Sequence, residues 1–211
     1  IKVTMEHNRL FEKQVGIKYS WGSYKNYKTT LSFLMEFVNY QYHRRDIPLR
    51  EVNQGFCENY FVWLTTKKTS KQNGAAKHLQ RLKKIINYAV RMGYILQSPM
   101  KSYTITMKPV AREALTWDEI MVISDLEMPT TVLRDIRNIF IFQVFTGLPY
   151  SDIKAFSKKH LMRGIDGKFW LRMERTKTHN TFTVPLLPKA LQVLEQYLKV
   201  NSDLNEPIFP V

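Results

Sequence analysis

The sequence predicts a mainly α-helical protein with a small antiparallel β-sheet in its second half. Three observations lead to this prediction. Apolar residues recur at helical spacing through the first half, an Asp-Gly turn signal joins two strand-like runs in the second half, and an irregular proline-containing segment lies between the halves. With 211 residues, 44% of them hydrophobic and 13% aromatic, the chain can bury two modest cores.

Four helical patterns fill the first half and predict a helical bundle. They are separated by Gly22, Pro48 and a Lys-Lys-Thr-Ser turn. The predicted helices cover residues 5–16, 23–42, 53–68 and 70–92. Residues 97–112 carry Pro99 and Pro109 without a clear period, which predicts an extended linker. The sequence therefore predicts an N-terminal domain over 1–96 and a second domain over 113–211.

The second domain is predicted to combine helices with three strands. Thr116 and Glu119 form a capping-box pattern, in which each side chain satisfies free N–H groups at a helix start. That helix is predicted to end near residue 126, and an apolar helix to follow over 131–148. A short helix from Ser151, three strands, and a helix from about 188 to about 200 complete the prediction.

Positive charge is concentrated in the first half. The net charge is +14, and residues 1–111 hold 19 Lys and Arg against 6 Asp and Glu, whereas residues 112–211 hold 13 against 12. A basic half followed by a nearly neutral half indicates a first domain that binds a polyanion and a second domain with another role. Surface charge for solubility is the alternative, but it does not explain the one-sided distribution.

Several classes of protein are disfavoured by composition. The five histidines and one cysteine show no metal-ligand spacing, so we expect no metal. The lone Cys57 cannot form an internal disulfide, which fits a reducing cytoplasm. Neither a membrane-spanning apolar run nor a signal peptide is present, so no membrane association is expected. Because the sequence starts at Ile1 and stops at Val211 within an unfinished pattern, we expect a fragment of a longer protein.

The fourth predicted helix has one apolar and one cationic face. On a helical wheel the apolar face carries Ala75, Leu79, Leu82, Ile86, Ala89 and Val90, and the opposite face carries Lys77, Arg81, Lys84 and Arg91. Like charges on one stripe repel each other, whereas on DNA each can replace a condensed counterion. The stripe therefore favours nucleic-acid binding over its alternative, an ordinary solvated helix face.

Residues 140–187 carry the most specific signal of the chain. The segment FIFQVFTGLPYSDIKAFS reads as an apolar helix that runs into Thr-Gly-Leu and restarts at Ser151. Turn signals at Asp166-Gly167 and around Lys177 then separate three strand-like runs. This succession resembles the catalytic domain of the tyrosine recombinase (phage integrase) family, and conjugative-transposon integrases most of all. In that family the residue after Thr-Gly-Leu is normally an arginine that grips the scissile phosphate, but here it is Pro149.

The resemblance implies a fold and a reaction. The fold would be a SAM-like helical core-binding domain followed by the first part of an α+β catalytic domain. The reaction would be site-specific cleavage and rejoining of DNA through a 3′-phosphotyrosyl link, without metal or other cofactor. The family's His, second Arg and tyrosine nucleophile lie beyond the matching region, so the chain alone would be inactive. An intact protein would act on double-stranded recombination sites as a homo-oligomer, a synaptic tetramer.

The resemblance also implies roles for individual residues. Lys177 would donate a proton to the departing 5′ oxygen, because a turn can place an ammonium beside a leaving group. Asp152 matches an acidic residue that braces the active site, with helix capping as its plainer role. Arg137, and less favourably Arg134, would substitute for the missing arginine, unless they are surface residues paired with carboxylates. The residues expected near DNA are Lys25, Lys28, Lys71, Asn73, Lys77 and Arg81, in addition to Lys84 and Arg91 of the cationic face.

Two alternatives remain open at this stage. The first is a DNA-binding architectural or regulatory protein that keeps the recombinase scaffold without catalysis, which Pro149 favours. The second is RNA binding by the basic bundle, which ranks last because no RNA-binding strand motif is present.

Overall fold

The computed structural model describes residues 1–198 and 203–211, which form two compact units, Ile1–Ala111 and Arg112–Val211. The first unit is helical, and the second combines helices with a three-stranded antiparallel sheet. The predicted fold class is therefore confirmed. None of the helices in the described residues has both the length and the apolar character that a membrane crossing needs.

Four α-helices and a 3-10 helix at Leu49–Glu51 build the first unit. The helices are α1 Lys2–Glu12, α2 Trp21–Tyr42, α3 Gln54–Thr66 and α4 Gln72–Arg91. They enclose aromatic and aliphatic side chains, among them Phe37, Phe56, Tyr60, Leu64, Leu79 and Ile86. The buried residues of α4 include Ala75, Leu79, Leu82, Ile86 and Ala89, as its predicted apolar face requires.

Two helix starts in the first unit depart from the prediction. Helix α1 begins three residues earlier than predicted and ends at Glu12, because residues 13–19 turn back through a bridge between Val15 and Tyr19. Gly22 does not break a helix but lies in the first turn of α2, where the Ser20 hydroxyl caps the helix by accepting from the Ser23 N–H at 3.2 Å.

Most of the predicted linker belongs to the first unit, because residues 98–103 form turns that bury Met100 and Tyr103 in its core, and the residues that follow are held against α4. The Asn73 side chain donates to the Lys108 carbonyl and accepts from the Lys108 N–H, each at 2.8 Å. Further along, the Lys83 ammonium donates to the Tyr103 carbonyl at 2.9 Å. These bonds fix the segment 103–108 along one side of α4.

In its described residues, the second unit has four α-helices, a 3-10 helix at Lys158–His160 and the sheet. Its elements are α5 Trp117–Asp125, α6 Thr131–Thr146, α7 Tyr150–Ala155, β1 Leu161–Arg163, β2 Phe169–Glu174, β3 Thr181–Pro185 and α8 Pro188–Leu198. Strand β2 is central, with Leu171 opposite Leu161 on β1 and opposite Val184 on β3. The predicted end of the last helix near residue 200 lies outside the described residues.

Local signals set the ends of these elements. The predicted capping box at the start of α5 is confirmed, since Thr116 and Glu119 exchange side-chain to backbone bonds of 3.3 and 2.7 Å. Helix α6 ends at Gly147, whose φ of +67° is a left-handed conformation that glycine adopts without a Cβ clash. One face of the sheet packs its Leu171 and Met173 on α6 and α8 around Phe142.

Candidate nucleic-acid groove and candidate active site

A basic groove lies between the first turns of α2 and the exposed side of α4. It consists of two cavities of about 240 and 390 Å³ that share Ser23, Tyr27 and Lys84. The remaining lining residues are Asn26, Lys77, Gln80 and Arg81 in the smaller cavity, and His7, Phe11, Tyr19, Asn87 and Arg91 in the larger one. All four cations of the predicted stripe therefore line one concave surface.

The cations of the basic groove have no acidic partners within residues 1–198 and 203–211. Lys77, Lys84 and Arg91 are exposed, and Arg81 is half-buried. Among the residues that the structure describes, none of the four forms a salt bridge with a carboxylate. A concave surface with unneutralised positive charge attracts anions.

Arg81 lines the smaller cavity and is half-buried. Its Nη1 lies 3.5 Å from the Thr30 hydroxyl, which in turn lies 2.9 Å from Nδ1 of His78. Burial, and then the nearby charge of Arg81, lowers the pKa of His78 to about 4, so this imidazole is neutral at neutral pH. Arg81 therefore carries the charge of this polar cluster.

Other residues expected near DNA lie in different surroundings. Lys25 and Lys28 are exposed on α2, with the Lys28 ammonium 5.7 Å from the centre of the Tyr24 ring. Lys71 is exposed at the N-cap of α4. Asn73 uses both ends of its amide to hold the linker backbone, so the structure gives it a scaffolding contact that the sequence did not reveal.

In the second unit, Asp152 anchors the turn between β2 and β3. Its side chain is 1% exposed and accepts from the Thr176 N–H at 3.0 Å and from the Arg175 guanidinium at 3.3 Å. Burial alone raises the pKa of this carboxyl, but bonds from Thr176, Ser151 and Arg175 hold it below its ordinary value. Asp152 does not cap its own helix, contrary to its plainer predicted role, because α7 has no side-chain cap.

Lys177 lies in the turn that Asp152 anchors. It directly follows Thr176 and is exposed. It forms no hydrogen bond or ion pair with any residue in the described ranges 1–198 and 203–211. The structure thus brings Asp152 and Lys177 into one local arrangement, with the ammonium group free to bind a ligand.

Arg175 is a site residue that the sequence reasoning missed. Its Nη1 donates to the Gly147 carbonyl and to Oδ2 of Asp152, both at 3.3 Å. The guanidinium carbon lies 4.1 Å from the centre of the Phe182 ring. Strand alternation was the available signal, since residue 175 continues the inward-facing series of Leu171 and Met173.

Arg137 is not brought to this site. It lies nine residues before the end of α6, or about 14 Å along the helix axis at about 1.5 Å per residue. Its Nη1 donates to the Leu126 carbonyl at 2.6 Å, and its Nε and Nη2 donate to Asn138. We expected Arg137 to substitute for the missing arginine, but its guanidinium is already bonded to Leu126 and Asn138. Arg134 is exposed on the first turn of α6.

The chain is similar to a known domain family in its first half and to solved structures over its whole length. Residues 4–105 match the phage integrase SAM-like domain family. The whole chain is similar to a lambda integrase tetramer bound to a Holliday junction, with 15% identity, a TM-score of 0.68, and coverage of 98% of this chain and 60% of that one. A search of curated proteins found no match.

Two further solved structures share the fold. The lambda integrase(75-356) dimer bound to a COC′ core site has 16% identity, a TM-score of 0.72, and coverage of 98% of this chain and 74% of that one. The Tn1549 transposon integrase (aa 82-397) in complex with circular intermediate DNA has 13% identity, a TM-score of 0.66, and coverage of 92% and 65%. Residues 4–105 thus match the phage integrase SAM-like domain, and the chain as a whole shares the fold of the lambda and Tn1549 integrases.

Proposed function

We propose that this chain is the DNA-gripping part, and the first section of the catalytic part, of a site-specific tyrosine recombinase. It would act on double-stranded recombination sites as part of a synaptic tetramer. The observation that carries the proposal is the turn at Lys177, because buried Asp152 ties this turn to the segment that follows Thr-Gly-Leu. The domain match and the DNA-bound integrases that share the fold support the same function.

The proposed reaction is one transesterification that is later reversed. The hydroxyl oxygen of a tyrosine from outside these 211 residues gives up its proton to water or another base and bonds to a backbone phosphorus, and the bond from phosphorus to the 5′ oxygen breaks. Lys177 gives its proton to the leaving 5′ oxygen, and cations around the phosphate stabilise the charge on its non-bridging oxygens. Rejoining runs the same steps backwards, with a 5′ hydroxyl as the nucleophile.

The basic groove supplies the proposed DNA contact of the first unit. Lys77, Arg81, Lys84 and Arg91 would bind backbone phosphates, because charge that no carboxylate in the described residues neutralises is available for counterion release. The Asn26 amide lines the same groove and has the donors and acceptor that base edges require, whereas the Gln80 amide already bonds to Lys77 and Met107. Lys25, Lys28 and Lys71 would add phosphate contacts beside the groove.

Footprinting the chain on candidate element ends in graded salt tests this proposal. We expect a protected half-site and a steep linear fall of log K with log salt, with a slope of about −0.9 per phosphate contact. A shallow salt response with no preferred site would contradict the proposal.

A second function, DNA binding without catalysis, is favoured by one observation. Pro149 is exposed at the position of the family's first arginine and offers neither charge nor donor. Covalent capture separates the two functions. A protein that contains this chain and the family's tyrosine would form a phosphotyrosyl adduct on nicked suicide substrates if it is a recombinase, and would bind the same DNA without any adduct if it is architectural.

A further inference from the structure

The proposed reaction needs a cation at the turn after α6, and residue 149 does not provide one. Pro149 is the N-cap residue of α7 and directly follows Gly147-Leu148. Loss of one preorganised donor typically slows catalysis by about 10²–10³-fold. A recombinase with this turn therefore requires a positive side chain from another element.

Arg175 reaches this turn from the end of β2. Its Nη1 contacts the Gly147 carbonyl on one side of residue 149 and the Asp152 carboxylate on the other, both at 3.3 Å. The guanidinium lies over the ring of Phe182, which limits its orientation. The positive charge is therefore held between Gly147 and Asp152, two residues before and three residues after Pro149.

The guanidinium of Arg175 also keeps donors available. An arginine has five N–H donors, of which two are on Nη1. In the described residues, Nε and Nη2 of Arg175 have no hydrogen-bond partner, and its side chain is 33% exposed. Arg137 differs, because all three of its nitrogens already donate to Leu126 or Asn138.

We propose that Arg175 is a catalytic residue that replaces the missing arginine and binds the non-bridging oxygens of the scissile phosphate. This assignment rests on the proposed recombinase function. The contacts through Nη1 hold the side chain in place, and the donors on Nε and Nη2 bind the phosphate in the forked geometry that suits guanidinium groups. Lys177, two residues later in the same turn, serves the leaving oxygen of that phosphate.

The test compares the parent chain with Arg175→Gln, Arg137→Gln and the swap variant Pro149→Arg/Arg175→Gln. Ethylation of single phosphates in the protected half-site identifies each phosphate whose charge the chain needs. We expect one phosphate whose ethylation weakens binding of the parent chain but does not weaken binding of Arg175→Gln. The slope of log K against log salt should fall in magnitude by about 0.9 in the same variant. Arg137→Gln should match the parent in both measurements.

The swap variant separates phosphate binding from a structural role. An arginine at 149 restores a cation at the turn but not the contacts of Arg175 with Gly147 and Asp152. Recovery of the sensitive phosphate in the swap variant supports the assignment. A parental pattern in Arg175→Gln, or a lost phosphate that the swap does not restore, overturns it. In a protein that also carries the tyrosine, cleavage should slow by about 10²–10³-fold with Arg175→Gln.

A replacement variant covers misfolding of Arg175→Gln, and the parent chain separates the two proposals. If thermal unfolding shows that Arg175→Gln does not fold, Asp152→Asn/Arg175→Gln is compared with Asp152→Asn instead, because the pair leaves no unpaired carboxylate in the buried site and both proteins lack the Asp152 anchor. The same two outcomes then apply. Failure of the parent chain to protect any half-site refutes the recombinase function itself, whereas a protected half-site with an unchanged phosphate pattern refutes only the role of Arg175.

Discussion

Asp152 connects parts of the second unit that are far apart in the sequence. It lies on α7 and bonds to Arg175 and Thr176 at the end of β2. Sequence reasoning selected Asp152 and Lys177 as candidate site residues because each lies beside a recognisable local motif. It could not identify Arg175 in the same way, because the Gly147 carbonyl that this side chain contacts is 28 residues earlier. Only tertiary structure brings the two together.

The first residue-scale prediction concerns the stability of this anchor. Asp152→Asn should lower the free energy of unfolding of the chain by about 1.5–3 kcal/mol, the usual contribution of hydrogen bonds to a charged group. Urea unfolding measures the change. Asp166→Asn in the other hairpin turn is the matched control, because Asp166 is exposed, and its effect should be the smaller one. Equal effects of the two substitutions would contradict the anchoring role.

The same carboxylate predicts a pH dependence. Hydrogen bonds hold the pKa of Asp152 below its ordinary value in the fold, so its stabilising contribution is present above the pKa of the unfolded chain. That contribution is lost as the pH falls through the lower pKa of the folded state. In acid, the free energy of unfolding should therefore change less steeply with pH in Asp152→Asn than in the parent. The same pH dependence of this free energy in both proteins would show that Asp152 is not the group responsible.

At the scale of elements, the packing of α4 was predictable and one of its contacts was not. The apolar face of α4 and the cationic face that lines the basic groove both follow from helical spacing. Asn73 was expected near DNA, but its partner Lys108 lies 35 residues away in an irregular segment. Periodicity contains no information about such a partner.

Arg81 provides a prediction for the basic groove. Arg81→Gln should weaken binding to all duplex sequences alike and reduce the salt slope by about 0.9, because a phosphate contact carries no sequence information. Fluorescence anisotropy at several salt concentrations measures both quantities. The control is Arg45→Gln, an exposed arginine beyond the other end of α2, which should bind as the parent does. A parental salt slope in Arg81→Gln would exclude this phosphate contact.

The contact between α2 and α4 gives a prediction for pH. The pKa of His78 is about 4 in the fold, because of burial and then Arg81, whereas an unfolded histidine has a pKa near 6.5. Between these values the unfolded state binds the additional proton, so stability falls as the pH drops from about 6.5 to 4. His78→Asn should reduce this loss in thermal unfolding scans. The same loss of thermal stability with falling pH in His78→Asn would contradict the assignment of this loss to His78.

At the scale of the molecule, the fold class and most elements were predictable because their signals are local. Helical spacing, the capping box at Thr116 and the turn at Asp166-Gly167 each act over a few residues. The early end of α1 was missed because a bridge between Val15 and Tyr19 competes with continued helix. The charge asymmetry between residues 1–111 and 112–211 agrees with the location of the basic groove in the first unit.

The proposed cleavage depends most on proton donation by Lys177, and one measurement tests this step directly. In a protein that contains this chain and the family's tyrosine, Lys177→Ala is compared on two substrates, one with the natural 5′ oxygen at the scissile phosphate and one with sulfur in its place. A thiolate leaves without a proton, so a general acid is needed only for oxygen. We predict slow cleavage of the oxygen substrate by Lys177→Ala and near-parental cleavage of the sulfur substrate. Equal slowing on both substrates would contradict the account.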